Sequence, residues 1–166
     1  MAKKISFLIL LIFVFYLLLK DKESTTVQEY TIEKKENPLI KTLLDTALSY
    51  EGTPYKFGGT TVAGMDCSGL VYTSYKKLNI TLSRASRNMF HNGEEVRLDA
   101  AKKGDLLFFD IDKFEGRVNH VGMVTSVDED GTIKFIHSTT KQGVIITSIE
   151  ESYWKKAFVG VKRILN

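Results

Sequence analysis

The sequence predicts an α+β domain in which helices come first and an antiparallel sheet follows. Apolar residues from Leu39 to Leu48 and again from Leu70 to Leu78 recur at helical spacing. After Gly104 the pattern changes to short β-branched and aromatic runs over residues 106–109, 121–127, 132–137, 144–148 and 158–164. The turn-forming pairs Asp130-Gly131 and Gln142-Gly143 separate three of these runs. Such short connections leave no room for crossover helices, so the strands pair as hairpins rather than as βαβ units.

The N-terminus differs from the rest. Lys3 and Lys4 precede an uncharged apolar run over residues 5–19, closed by Lys20. That layout is a secretory signal or a signal anchor. As a helix the run spans only ~22 Å, against a hydrocarbon core of ~30 Å, and lysines at both ends would snorkel to fit it. Leu17, Leu18 and Leu19 lead straight into Lys20 with no small-residue cleavage site. Residues 1–20 are therefore expected to stay as an anchor, with a cleaved signal peptide as the alternative. Lys3 and Lys4 would remain in the cytoplasm and place the remainder outside. Residues 21–37 are polar, rich in Lys and Glu, and lack an apolar period, which predicts a linker. The domain proper is expected over residues 38–166.

Asn37-Pro38 opens the first helix, Asn as N-cap and Pro at the first helical position. Leu39, Ile40, Leu43, Leu44, Ala47 and Leu48 form its apolar face, and Gly52 is expected to end it. A glycine-rich loop over residues 53–65 follows. A second helix is expected from Asp66 to about Asn79, with Leu70, Val71, Ser74, Tyr75 and Leu78 facing inward. Residues 86–91 form a further short helical piece.

A chain of 166 residues has room for one ordinary domain. Its net charge of +3 is scattered, so no basic stripe for a nucleic acid exists. Cys67 is the one cysteine, which excludes an internal disulfide and a multi-cysteine zinc site. A lone thiol in an exported domain must be buried, paired with another molecule, or chemically useful. Because Cys67 follows the expected N-cap Asp66, its sulfur falls at a helix N-terminus, where unpaired N–H groups and the dipole favour thiolate. The alternative is a buried, inert cysteine, the commoner fate of a free Cys.

The histidines shift that balance. His120 begins one strand and His137 ends the next, so across the Asp130-Gly131 hairpin both fall at one end of the sheet. A nucleophile needs a base within reach, and the base needs a third group to fix its tautomer. Cys67, His120 and His137 supply these roles from separate elements. His91 lies in a polar patch and reads as solvated. No metal site is expected, since the three histidines show no close helical pairing, and the chemistry needs no cofactor.

Six segments in order now resemble the NlpC-type cell-wall peptidases, the NlpC/p-sixty family. They are Gly52-Thr53-Pro54-Tyr55-Lys56-Phe57-Gly58-Gly59, Met65-Asp66-Cys67-Ser68-Gly69-Leu70-Val71, Leu82-Ser83-Arg84-Ala85-Ser86, Lys103-Gly104-Asp105-Leu106-Leu107-Phe108-Phe109, Asn119-His120-Val121-Gly122-Met123 and Phe135-Ile136-His137-Ser138. The resemblance covers about Pro38 to Ile164. It implies a papain-like α+β domain with Cys67 as nucleophile, His120 as general base and His137 as the third residue. It further implies that Tyr55 reaches the cysteine and the substrate pocket, and that Asp66 and Ser68 hold the amine of an N-terminal L-alanine. Arg84 becomes a candidate for the cleft wall. The implied substrate is a peptidoglycan stem peptide, cut at the γ-D-glutamyl bond to a diamino acid. Ser83 and Met89 depart from the family's proline and glutamine, which bears on pocket shape and not on the catalytic set. A non-catalytic wall-binding scaffold, or an amidase or acyltransferase on the same scaffold, are the rival readings. Trp154 reads as packing rather than as a sugar platform.

Overall fold

A computed structural model of the chain describes residues 13–17, 37–111 and 117–166. Residues 13–17 form a short exposed helical segment; the other residues of the expected anchor, and the linker up to residue 36, lie outside the described residues. Among the described residues no helix is long and apolar enough to cross a membrane.

From Asn37 onward the chain forms one compact unit. Helix α1 (Pro38–Leu48) starts as expected, with the Asn37 side chain accepting from the Leu39 N–H at 2.9 Å. Its buried face is narrower than the apolar pattern: Leu43, Leu44 and Ala47 are buried, whereas Leu39 and Leu48 are exposed. Gly52 sits in the turn after the helix rather than at its end. The expected loop holds a small hairpin of β1 (Thr60–Thr61) and β2 (Gly64–Met65). Helix α2 (Cys67–Lys76) is capped by Asp66. It stops short of Asn79 because Asn79 adopts a left-handed backbone (φ 60°), and the Ile80 N–H turns back to the Tyr75 carbonyl at 3.1 Å. Helix α3 (Ser86–Met89) is the expected short piece.

The main sheet has six antiparallel strands: β3 (Glu94–Val96), β4 (Leu106–Phe109), β5 (His120–Val127), β6 (Ile133–Thr139), β7 (Gly143–Ser148) and β8 (Phe158–Arg163), in the order β3-β8-β4-β5-β6-β7. Strand β3, unforeseen in the sequence, is a three-residue edge strand paired only to β8. Helix α4 (Ser152–Ala157) was also unforeseen; six residues are too few to show a helical period.

Both faces of the sheet are covered, and strand alternation sorts the side chains. Leu106, Phe108, Val121, Met123 and Ile136 join Leu43, Leu44, Leu70, Val71 and Tyr75 in a core under α1 and α2. Leu107, Phe109, Val124 and Phe135 pack on the opposite face with Trp154 and Ala157 of α4. His120 shares the parity of Val124, and His137 that of Phe135, so both histidines belong to the α4 side. The sheet therefore brings its histidines from one layer and its cysteine helix from the other.

Candidate active site

The site begins with Asp66. Its Oδ1 accepts from the Gly69 N–H at 2.7 Å, capping α2, and its Oδ2 accepts from the Gly58 N–H at 2.7 Å. Arg84 grips the same carboxylate with both terminal nitrogens, at 2.8 and 2.9 Å. The guanidinium also donates to Ser68 Oγ at 2.8 Å and to the Gly59 carbonyl at 3.1 Å. Burial alone would raise the Asp66 carboxyl, but Arg84 and the N–H groups of Gly69 and Gly58 hold it below the usual carboxylate range. This cluster welds the loop at Gly58-Gly59 to the first turn of α2. The approach is so close that a Cβ at Gly69 would collide with the Gly59 carbonyl oxygen.

Cys67, the first residue of α2, is half-buried and faces a cleft of about 610 Å³ that Tyr55, His120 and Trp154 also line. Burial pushes its thiol above the ordinary value. Bonds from the N–H groups of Val121 and Ser68 offset part of that rise, and the nearby Asp66 carboxylate adds to it. The helix terminus alone was expected to favour thiolate; desolvation and the Asp66 charge outweigh it at rest.

His120 and His137 meet as the hairpin predicts. Gly122 stands opposite His137 in the β5–β6 register, and a Cβ there would come within 2.5 Å of Phe135 Cδ2 and 3.2 Å of His137 Cβ. With that space open, His120 Nε2 reaches His137 Nδ1 at 2.9 Å, with the two rings perpendicular. His137 Nε2 in turn lies 2.9 Å from Thr147 Oγ1 on β7. Both histidines are buried. Burial lowers the His120 imidazole to about 4, and lowers His137 further with help from the His120 charge. Since Nε2 of His120 is taken up by His137, Nδ1 is the nitrogen left for the cleft.

The seven sequence-derived site residues thus fall into two groups. Cys67, His120 and Tyr55 line the cleft, with His137 directly behind His120. Asp66, Ser68 and Arg84 lie together at the base of α2 and bond to one another, outside the set of residues that line this cleft. The Tyr55 phenol is raised by burial and by the neighbouring Cys67 and Asp66. Trp154 packs as its sequence reading has it, but its place against the histidines, like that of Thr147, was not foreseen. Trp154 stacks on His120 and meets His137 edge-on at 4.5 Å, and Thr147 bonds His137. Neither carries a local motif; only the register of β7 and the seating of α4 reveal them. Among the described residues, no cluster of His, Cys, Asp and Glu could hold a metal ion.

Comparison with known proteins follows the same outline. A family model described as the NlpC/P60 family matches residues 52–163. The chain is 36% identical over 136 residues to "Murein DD-endopeptidase MepH" of Escherichia coli (strain K12), covering 79% of this chain and 48% of that protein. It is 33% identical over 126 residues to "Gamma-DL-glutamyl hydrolase" of Bacillus subtilis (strain 168), covering 75% of this chain and 29% of that one. A crystal structure of an NlpC/P60 family protein from Bacillus cereus ATCC 10987 superposes with a TM-score of 0.69 at 34% identity, covering 76% of this chain and 40% of the other. The chain thus spans less than two thirds of each of these proteins. The matched segment holds the glycine-rich loop, the cysteine helix and both histidine strands, and by it the chain belongs to the NlpC/P60 family.

Proposed function

We propose that this chain is a cysteine endopeptidase that hydrolyses peptidoglycan stem peptides, at the γ-D-glutamyl bond to a diamino acid. The observation that carries the proposal is the shared cleft of Cys67 and His120, with His120 Nε2 held 2.9 Å from His137 Nδ1. His120 Nδ1 takes the Cys67 proton as the sulfur attacks the amide carbonyl, and returns it to the leaving amine. Water then releases the thioester. The backbone N–H at the start of α2 faces the developing oxyanion. With burial raising the Cys67 thiol and lowering the His120 imidazole, proton transfer accompanies the attack rather than preceding it.

The cleft suits such a substrate. Lys141, on the turn between β6 and β7, and Glu151, just before α4, place one cation and one anion on its wall. A stem peptide carries free carboxylates and a free amine, so both charges have partners on it. Tyr55 is assigned to the substrate side of the cysteine. Asp66 and Ser68 are assigned to the substrate's terminal amine, and Arg84 to the adjoining wall, where it holds the Asp66 carboxylate. The Bacillus subtilis relative is named a gamma-DL-glutamyl hydrolase, which supports a γ-glutamyl linkage as the bond cut. Because the Escherichia coli relative is named a DD-endopeptidase, the cross-link is the competing bond.

The N-terminal segment fits this activity: Lys3, Lys4 and the apolar run over residues 5–19 support an anchor that holds the domain outside the cytoplasm, with residues 21–37 as a tether. The test is to incubate the full chain and its Cys67→Ala variant with purified peptidoglycan peptides and read fragments by mass. Release of the γ-glutamyl fragment by the wild type alone supports the proposal. Equal cleavage by Cys67→Ala removes the thiol mechanism, a cross-link product reassigns the bond, and binding without cleavage favours a scaffold.

A further inference from the structure

We propose that Thr147 is a positioning residue for catalysis: its hydroxyl oxygen accepts the His137 Nε2 proton and thereby sets the tautomer in which His120 can act as base. The inference rests on the proposed roles of Cys67 and His120.

Protons are ordered along a chain of three side chains, His120, His137 and Thr147. His120 Nε2 and His137 Nδ1 are 2.9 Å apart, so one of them carries the hydrogen between them and the other accepts it. If His120 Nε2 carries it, His120 Nδ1 is bare and can take a proton from Cys67. His137 Nδ1 is then the acceptor, and the neutral His137 ring must carry its own proton on Nε2. That proton needs an acceptor, and the atom 2.9 Å away is Thr147 Oγ1. In the opposite arrangement Thr147 donates to His137 Nε2, His137 Nδ1 donates to His120, and the His120 proton sits on Nδ1. That ring can accept nothing from Cys67.

The surroundings make the choice consequential. His137 has no measurable exposure, and although Thr147 borders the cleft, a valine methyl there would occupy the place of the hydroxyl, so water does not readily replace it. The aromatic rings packed on His137 are those of Phe135, Trp154 and His120. A buried N–H left without an acceptor is costly. Removing the Thr147 oxygen strands an N–H in the competent tautomer but only a lone pair in the incompetent one, and the orphaned donor is the less tolerated of the two, so the balance moves toward the incompetent form. The position is dictated by register. Thr147 pairs with Phe135, which puts its side chain on the same sheet face as His137, one diagonal step away.

The experiment uses the full chain with Thr147→Val, which keeps the shape without the oxygen, and Thr147→Ser, which keeps the oxygen. Three properties are measured: kcat and KM on purified stem peptides, the rate of Cys67 alkylation by iodoacetamide against pH, and imidazole nitrogen NMR of the wild type. Thr147→Val is expected to lower kcat about ten- to a hundredfold with KM little changed, and to slow alkylation near neutral pH in parallel. Thr147→Ser is expected to restore most of both. In the wild type, both rings should carry their proton on Nε2. A proton on Nδ1 of either neutral ring overturns the proposal without recourse to any variant, as does a Thr147→Ser enzyme as impaired as Thr147→Val. Absence of stem-peptide cleavage by the wild type would sink the substrate reading alone, because alkylation and NMR still report on Thr147.

Discussion

The indole of Trp154 lies against the His120 imidazole with ring centroids 5.3 Å apart and planes inclined by 30°. The same indole is edge-on to His137 and to Phe109, so one side chain closes the α4 side of the histidine pair. Trp154→Ala should admit water to His120, raise its depressed pKa toward the ordinary value, and move the acid limb of kcat/KM to higher pH. The loss of stability should be about 3 kcal/mol, as for other large aromatic truncations. Trp154→Phe should keep most of the stability and show a smaller displacement of the limb. An unchanged acid limb in Trp154→Ala, with the protein folded, would show that the indole does not control His120.

The thiol and imidazole shifts predict how the proposed pair titrates. Burial raises Cys67 and lowers His120 to about 4, so between those values both are neutral. Iodoacetamide alkylation of Cys67 should therefore climb through the alkaline range, without the low-pH plateau of a thiolate–imidazolium pair. A plateau below neutral pH would show a preformed ion pair.

The same imidazoles link folding to pH. A histidine whose folded pKa lies below its unfolded value binds its proton first in the unfolded chain. Stability is then full above about 6.5 and falls as pH drops toward about 4. The loss should be on the order of a few kcal/mol, read by denaturant titration across that window. A flat stability profile there would contradict the burial of neutral histidines.

Arg84→Met removes the cation and leaves the Asp66 carboxylate buried. The full penalty for an orphaned buried charge is about 3–5 kcal/mol. Here Arg84 is 37% exposed at its side chain, so about 2 kcal/mol is expected. Activity should fall with it, since the start of α2 keeps only the Asp66 N–H as its direct tie to the Gly59 carbonyl. Thermal unfolding alongside alkylation of Cys67 separates the two effects.

Lys141→Ala should raise KM for stem peptides about two- to tenfold with kcat little changed, because an exposed charge contributes mainly to binding. A charge-reversing Lys141→Glu should raise it further. Equal KM values across the series would remove Lys141 from substrate recognition.

Much of this arrangement was legible in the sequence. Cap and proline at Asn37-Pro38, the aspartate before Cys67, and the hairpin signal at Asp130-Gly131 each act locally, and the structure carries all three. The meeting of His120 and His137 followed from strand direction alone. What stayed hidden depends on register or on seating across the sheet. The oxygen behind His137 comes from a strand with no motif, and the short helix bearing Trp154 is defined by the layer it covers. Strand β3 was invisible because its exposed Glu94 and Glu95 obey no burial pattern. The expectation for Arg84 was incomplete for a similar reason: a charge eighteen positions from Asp66 shows no sign in sequence of being its partner.

The sheet that divides the two packed layers also divides the reactive groups between them. Val121 lies beneath α1 and α2 and bonds the sulfur through its N–H, while its chain neighbour His120 lies on the α4 side, so a substitution in either core is felt by both groups through the strand they share. The spacing of sulfur and imidazole across the cleft thus depends on both packed layers at once.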